Sequence, residues 1–207
     1  YEFVTGVQTC ALPICFYTAL HDRFDYRDIG EENGLKVKEK FNTDGAIVKG
    51  LNIELKYSPN KQFIFQLATT IQSAKYNSTQ NPEDNIFTDE LLKTPNVYGN
   101  LLATYKPRPN WDINLVTVYT GSMKVVHLAG YIAENRLETT KGLVDIGLNT
   151  SYQINASNFF PLEVSCGVKN LFNQYQNDFD KGAKRDADYI YGPALPRTVF
   201  VGLKVKM

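Results

Sequence analysis

Apolar and polar side chains alternate along most of this sequence, and this period of two constrains the fold more than any other feature. Within residues 144–154, for example, apolar Leu148 sits between small Gly147 and polar Asn149, and the alternation continues toward both ends. Successive side chains of a β-strand point to opposite faces, so each such segment is predicted to be a strand with one apolar and one polar face. The other clear instances are 51–57, 63–74, 111–115, 162–169 and 199–207.

The connections between these segments have two lengths. Short turns are predicted at 58–60, 106–110 and 155–160, and long polar connections at 25–44, 77–96, 123–139 and 173–195. The two kinds alternate strictly along the chain, as the short periplasmic turns and long extracellular loops of outer-membrane barrels do. The predicted strands are 16–24, 46–57, 61–76, 97–106, 110–122, 140–154, 161–172 and 196–207. The predicted fold class is therefore all-β, an antiparallel transmembrane β-barrel segment of about eight strands.

Aromatic residues gather beside the predicted short turns: Tyr57, Phe63, Tyr105, Trp111, Tyr152, Phe159 and Phe160. A girdle of this kind is typical of a barrel at the membrane interface. The polar face of the strands cannot fill the interior of a small barrel, because small barrels fill their interior with apolar side chains. It therefore either lies on the outside of a soluble protein or lines a wide polar lumen. Turn lengths and aromatic residues favour the lumen, and a soluble β-sandwich binding module is the alternative.

Charge and hydropathy exclude two other classes of protein. The 22 Lys and Arg residues balance 22 Asp and Glu residues without a basic run, so nucleic acid is not predicted as a partner. No segment approaches about 18 consecutive apolar residues, which excludes a transmembrane helix. Membrane strands are compatible with the mean hydropathy of -0.30, because their alternation keeps the average low.

The sequence contains no recognisable catalytic motif. It has no G-x-S-x-G, no glycine-rich phosphate loop and no nucleophile arranged with a histidine, so we predict neither an enzyme nor a cofactor. His21 and His127 lie outside any metal motif and are predicted to be solvated residues near loops. The segment 178–182 faintly resembles a calcium loop, but Lys181 stands before the glycine, where an oxygen ligand is needed. No metal site is predicted.

The first fifteen residues differ in kind from the rest. Residues 4–14, VTGVQTCALPI, resemble the translation of a common sequencing-library adapter, which predicts that 1–15 is a non-native artefact segment. A secretory signal is the alternative, but it would need a basic start and a small-residue cleavage site. If 1–15 is an artefact segment, Cys10 and Cys15 have no biological role. Cys166 alone cannot form a disulfide framework.

The end of the chain carries a specific combination of motifs. Residues 167–173 read GVKNLFN, residues 191–198 read YGPALPRT, and a final strand runs from 199 to 207. In this order, on strands of period two, they resemble the C-terminus of TonB-dependent outer-membrane receptors. The resemblance covers 16–207, which is identified as the C-terminal part of the barrel. Met207 departs from the phenylalanine with which the family usually ends, and assembly machinery reads that terminal residue.

The resemblance implies what the whole protein does. It implies a plugged barrel of about 22 strands in the bacterial outer membrane, in contact with its lipid, that imports a scarce small ligand with energy from TonB. A metal chelate, such as a siderophore or a cobalamin-like compound, is favoured over a glycan. The plug and the TonB-contacting segment would lie in a missing N-terminal region, so 16–207 is expected to form an open part of a larger barrel. A passive porin or structural barrel is the alternative function.

The loop 173–195 is the candidate for ligand contact. It holds Tyr175, Arg185, Tyr189 and Tyr191, together with the acidic residues Asp178, Asp180, Asp186 and Asp188. Aromatic and charged groups on an extracellular loop suit the capture of a polar chelate. The alternative is a solvated loop held by internal salt bridges.

Overall fold

The computed structural model describes residues 7–82, 85–154, 161–193 and 195–205, and within them the secondary structure is β. The strands are β1 (Gln8–Leu20), β2 (Arg23–Glu32), β3 (Leu35–Thr43), β4 (Ala46–Asn60), β5 (Phe63–Gln80), β6 (Thr88–Glu90), β7 (Val97–Arg108), β8 (Trp111–Thr120), β9 (Lys124–His127), β10 (Arg136–Thr139), β11 (Leu143–Ile154), β12 (Leu162–Lys169) and β13 (Thr198–Val205). In these ranges no helix is long and apolar enough to cross a membrane.

Eight of these strands form one antiparallel sheet in the order β1-β4-β5-β7-β8-β11-β12-β13, with β6 added beside β5. Each of the six inner strands of this sheet pairs with the strand before it and the strand after it in this list, which follows the order along the chain, so the predicted order of neighbours is confirmed. Strands β1 and β13 each have one neighbour, so the sheet is open at both edges in the part of the chain that is described. The prediction of an open barrel segment is therefore confirmed.

Two connections predicted as long loops contain hairpins instead. Within 25–44, strands β2 and β3 pair around a tight turn at Asn33 and Gly34, whose φ angles are 54° and 79°. Asn-Gly favours this turn because both residues adopt positive φ readily. Within 123–139, strands β9 and β10 form a shorter hairpin.

The first strand of the sheet begins at Gln8, earlier than the predicted residue 16, and it ends at Leu20. Residues 8–15 therefore continue the pairing of β1 with β4, Gln8 lying opposite Ser58. Main-chain pairing needs no particular side chains, so the non-native origin of 1–15 stays a prediction. The predicted turn at 155–160, with Phe159 and Phe160, and the terminal Met207 lie outside the described residues.

The two faces of the sheet differ in chemistry. On one face, Leu148 lies in register between Leu115 and Val168 and is 43% exposed. On the other face, Thr104 donates a hydrogen bond to Asn114 (2.7 Å), which donates to Asn149 (3.0 Å). These hydrogen bonds join β7, β8 and β11, so polar side chains of adjacent strands are hydrogen-bonded to one another. We call the two surfaces the apolar face and the polar face.

The buried apolar residues lie away from the middle of the sheet. Among the described residues they are Ala46, Ala74, Ile86, Val125 and Tyr189, which belong to the long loops or to the strand ends beside them. The apolar face is instead exposed, Val201 reaching 78%. A water-soluble domain of this length would bury such a surface. The exposed apolar face is what a sheet in contact with lipid requires.

Aromatic side chains cluster on the apolar face at the short-turn end of the sheet. Phe63 and Tyr105 stack with ring centroids 4.7 Å apart, and Trp111 meets Tyr152 edge-on at 6.4 Å. The Trp111 indole N–H donates to Thr150 Oγ1 at 2.8 Å. Rings with an apolar body and a satisfied polar group suit a membrane interface. The predicted girdle is present for the members that are described.

Candidate ligand-binding site

The loop between β12 and β13 is closed at its base by an asparagine of the GVKNLFN motif. Asn170 is buried with a φ of 49°, a conformation that asparagine tolerates better than most residues. Its Nδ2 donates to the carbonyl oxygens of Gln174 (2.8 Å) and Leu195 (3.0 Å), and its Oδ1 accepts from the Gln174 N–H (2.7 Å). Asn170 thus ties both ends of the loop together. We refer to residues 170–197 as the β12–β13 loop.

A buried contact joins this loop to the hairpin β9–β10. The Nε2 atom of His127 lies 3.0 Å from both carboxylate oxygens of Asp180, and the two residues are only 6% and 5% exposed. The Asp180 carboxylate also accepts a hydrogen bond from the Asp186 amide (2.9 Å). The prediction that His127 is a solvated residue is therefore wrong. Its partner is far away in sequence, so no local pattern indicates the contact.

Asp186 provides a second link between the same two segments. One of its carboxylate oxygens accepts from the Leu128 amide (2.8 Å) and the other from the Asp188 amide (2.9 Å). Nearby, a Cβ added to Gly130 would come within 2.9 Å of the Lys184 carbonyl oxygen, so the two backbones approach closely. The loop and the hairpin therefore pack as neighbours rather than extending separately into solvent.

Two of the predicted tyrosines form the centre of the loop. Tyr189 is buried and stacks on His127 with ring centroids 3.7 Å apart and planes 7° from parallel. Its hydroxyl donates to one oxygen of Asp178 (3.0 Å), and the Tyr191 hydroxyl donates to the other (2.7 Å). Gln176 donates to the Tyr189 carbonyl and accepts from the Tyr191 amide, both at 3.0 Å. These hydrogen bonds all join residues of the β12–β13 loop.

These contacts shift the ionisation of the groups involved. Burial opposes ionisation of Asp178, but hydrogen bonds from Tyr191 and Tyr189 outweigh it and hold the Asp178 pKa below its ordinary value. Burial, and then the hydrogen bond to Asp178, raise the pKa of Tyr189 and of Tyr191. The neutral hydroxyls and the ionised carboxylate therefore stabilise one another at neutral pH.

The loop lines a half-open cavity of about 710 Å³. It brings together three of the four predicted contact residues: Tyr175, which is exposed, Arg185 and Tyr189. Tyr191 is outside the lining but contacts Tyr189 at 5.7 Å between ring centroids. The other lining residues are Asn173, Gln176, Phe179, Asp180, Asp186, Ala187, Ile190, Gly192, Pro193, Leu195 and Pro196.

The charged groups of the cavity are not equally available to a ligand. Asp180 and Asp186 are occupied by donors from the protein, as described above. The Arg185 guanidinium has no hydrogen-bond or ion-pair partner among the described residues. Exposed Phe179 and Ile190 contribute apolar surface to the rim. The cavity therefore offers a cation beside aromatic and aliphatic groups, which suits a ligand with negative charge on an apolar body.

In the part of the chain that is described, no three His, Cys, Asp or Glu residues are grouped so that they could hold a metal ion. Within the calcium-like segment, Asp178 accepts two tyrosine hydroxyls and Asp180 accepts from His127. Both carboxylates thus have a structural partner.

Comparison with known proteins gives matches only at the level of structure. No protein-family model matches the sequence, and no curated protein matches it either.

Several solved structures match almost the whole chain. The siderophore receptor PirA from Acinetobacter baumannii has a TM-score of 0.66 at 19% identity, over 95% of this chain and 29% of that receptor. The ferric-catecholate import receptor Fiu from Escherichia coli K12 has 0.64 at 18%, over 94% and 25%. The copper transporter OprC has 0.63 at 14%, over 95% and 28%. The chain thus spans between a quarter and a third of each, and it has the fold of a segment of their outer-membrane β-barrels.

Proposed function

We propose that this chain is the C-terminal part of a TonB-dependent outer-membrane receptor that imports a metal chelate. The observation that carries the proposal is the structural match, over at least 94% of the chain, to a siderophore receptor, a ferric-catecholate import receptor and a copper transporter. The GVKNLFN motif supports it, because its asparagine has a definite role in closing the β12–β13 loop. The complete protein would take up its ligand with energy from TonB.

Location in the bacterial outer membrane is supported by the surface of the sheet. The apolar face is exposed along β11 to β13, and the aromatic residues mark one border of it. Lipid is the environment that removes this surface from water while the polar face lines the lumen. The plug and the segment that contacts TonB are assigned to a region N-terminal to this chain.

The β12–β13 loop supplies part of the ligand contact in this proposal. Its cavity offers Arg185 with Tyr175 and exposed Phe179, while the cavity carboxylates are held by protein donors. Among the described residues, the two cavity carboxylates already accept hydrogen bonds from the protein, so a free metal cation would have to compete with these donors, whereas an anionic chelate would find a guanidinium and apolar surface. A chelate is therefore favoured over a bare ion at this position.

The test is a binding assay on the complete receptor in detergent. Probes of different chemistry are ferric enterobactin, ferrichrome, cyanocobalamin and, as a glycan, maltoheptaose, with affinity measured by titration calorimetry. We expect one of the three chelates to bind to the receptor and the glycan not to bind. In cells, uptake of that chelate should be lost when TonB is deleted. Glycan binding alone, or passive sugar passage in a liposome-swelling assay, would contradict the proposal.

A deletion localises the contact to the loop. Removing residues 176–190 should weaken binding of the same chelate while the barrel still assembles, because the flanking strands keep their pairing and their apolar face. The matched control removes residues 29–36 at the tip of the hairpin β2–β3. Heat-modifiable migration in gel electrophoresis reports folding of both variants. Unchanged affinity in a folded 176–190 deletion would show that this loop is not a contact.

A further inference from the structure

The walls of the loop cavity are held by a residue that does not line it. Asp180 and Tyr189 both line the cavity, and both contact His127. His127 belongs to strand β9 of the neighbouring hairpin β9–β10. His127 meets Asp180 through hydrogen bonds and Tyr189 through ring stacking. One side chain from a separate hairpin therefore fixes two cavity residues at once.

The burial of this group makes the contact hard to replace. Within the described structure, the Asp180 carboxylate receives donors only from His127 and the Asp186 amide. A buried carboxylate that loses one of two donors is left poorly compensated, because water cannot reach it without rearrangement. Removing the imidazole also leaves a void against the Tyr189 ring. The loop is then expected to rearrange rather than keep the same cavity.

We propose that His127 is a positioning residue for this cavity: it holds Asp180 and Tyr189 from the neighbouring hairpin and so keeps the loop in its binding conformation. The role of the cavity in binding rests on the function proposed above. A preformed cavity avoids the loss of loop entropy that binding would otherwise require, so His127 contributes to affinity without touching the ligand. The hairpin β9–β10 thereby becomes part of the binding unit.

The first test needs no ligand. Amide hydrogen exchange of the complete receptor in detergent compares the wild type with His127→Ala, and with His21→Ala as a control at an exposed histidine. We expect His127→Ala to speed exchange in two segments, 176–191 and 124–139, since the Asp186 and Leu128 amides depend on the same network. His127→Gln, which offers Asp180 an amide donor, should restore much of the protection.

The second test measures affinity for the chelate that binds best in the probe panel, with ferric enterobactin as the first choice. His127→Ala should weaken binding about tenfold, and the double variant His127→Ala with Asp180→Ala should weaken it by less than the product of the two single effects, because the two side chains share one contact. His21→Ala should leave affinity unchanged.

The outcomes separate this inference from the proposed function. Unchanged exchange in 176–191 for a folded His127→Ala receptor overturns the inference, and so does unchanged affinity for a chelate that the wild type binds. If the wild type binds none of the chelates, the proposed function fails. Faster exchange in both segments, with rescue by glutamine, would still support the positioning role of His127.

Discussion

Lysine at position 148 should destabilise the complete barrel far more than lysine at the adjacent position 149. Leu148 lies on the apolar face, whereas Asn149 lies on the polar face and accepts a hydrogen bond from Asn114. If the apolar face contacts lipid, the lysine at 148 must enter hydrocarbon or distort the bilayer. The lysine at 149 would instead point into a hydrated lumen.

The depth of Leu148 follows from the strand geometry. Leu148 is four residues before Tyr152, which belongs to the aromatic girdle. At about 3.4 Å per residue this is about 14 Å along the strand, and a strand tilt of about 40° reduces it to about 10 Å along the membrane normal. The apolar band of such barrels is about 25 Å tall. Leu148 thus lies near the middle of the membrane.

That depth sets the expected magnitudes. A lysine at the bilayer midplane costs about 2–4 kcal/mol of folding free energy. Asn149→Lys removes the hydrogen bond from Asn114, which contributes about 1 kcal/mol. The charge of the introduced lysine stays in water. Leu148→Ala is the control for lost apolar surface without added charge. Its effect should be smaller than that of Leu148→Lys.

The assay is equilibrium unfolding of the complete barrel in lipid vesicles, by urea titration with tryptophan fluorescence, and with folded yield from heat-modifiable migration. Equal destabilisation by Leu148→Lys and Asn149→Lys would refute the assignment of the two faces. A larger effect at 149 would reverse it, placing the polar face toward lipid.

Three further predictions concern the loop and the sheet edges. Asn170→Ala should destabilise the β12–β13 loop locally by about 1–3 kcal/mol, because it removes the donor to the Leu195 carbonyl oxygen. Trypsin should then cleave within the loop faster than in the wild type, and a variant as resistant to trypsin as the wild type would contradict this. Because the Asp178 pKa is lowered by its tyrosine donors, its contribution should be present above about pH 4 and lost as pH falls further. In hydrogen exchange, Tyr189→Phe with Tyr191→Phe should abolish that acid transition, and an unaltered one would refute the assignment. The isolated chain should aggregate in detergent-free buffer through its unpaired edges, and a monodisperse monomer in sedimentation would disprove this.

The sheet could be predicted from the sequence because its information is local. A period of two identifies a strand, and the alternation of short and long connections then determines which strands are neighbours. The signal for the hairpin β2–β3 is equally local, since Asn33 and Gly34 form its turn, but the polar composition of its strands resembles that of a loop. Both results depend on residues within a few positions of one another.

The candidate site could be predicted only in outline. The residue types of the β12–β13 loop indicate where the candidate site lies, and three of the four residues predicted to contact the ligand line one cavity. The contact of His127 with Asp180, by contrast, joins residues 53 positions apart, and no periodicity links them. Likewise, the motif identified Asn170, but its role in closing the loop depends on the carbonyl of Leu195, which lies 25 positions away.

Stability in this chain has two separate sources. The strands bury little apolar surface within the described residues, so their stability depends on the backbone ladder and on an apolar environment outside the protein. The β12–β13 loop and hairpin β9–β10 bury Val125, Tyr189 and the pair His127 and Asp180, and these contacts need no lipid. Within the described structure, the side-chain contacts of His127 with Asp180 and Tyr189 involve no residue of the apolar face, so a substitution at Leu148 should have little effect on them.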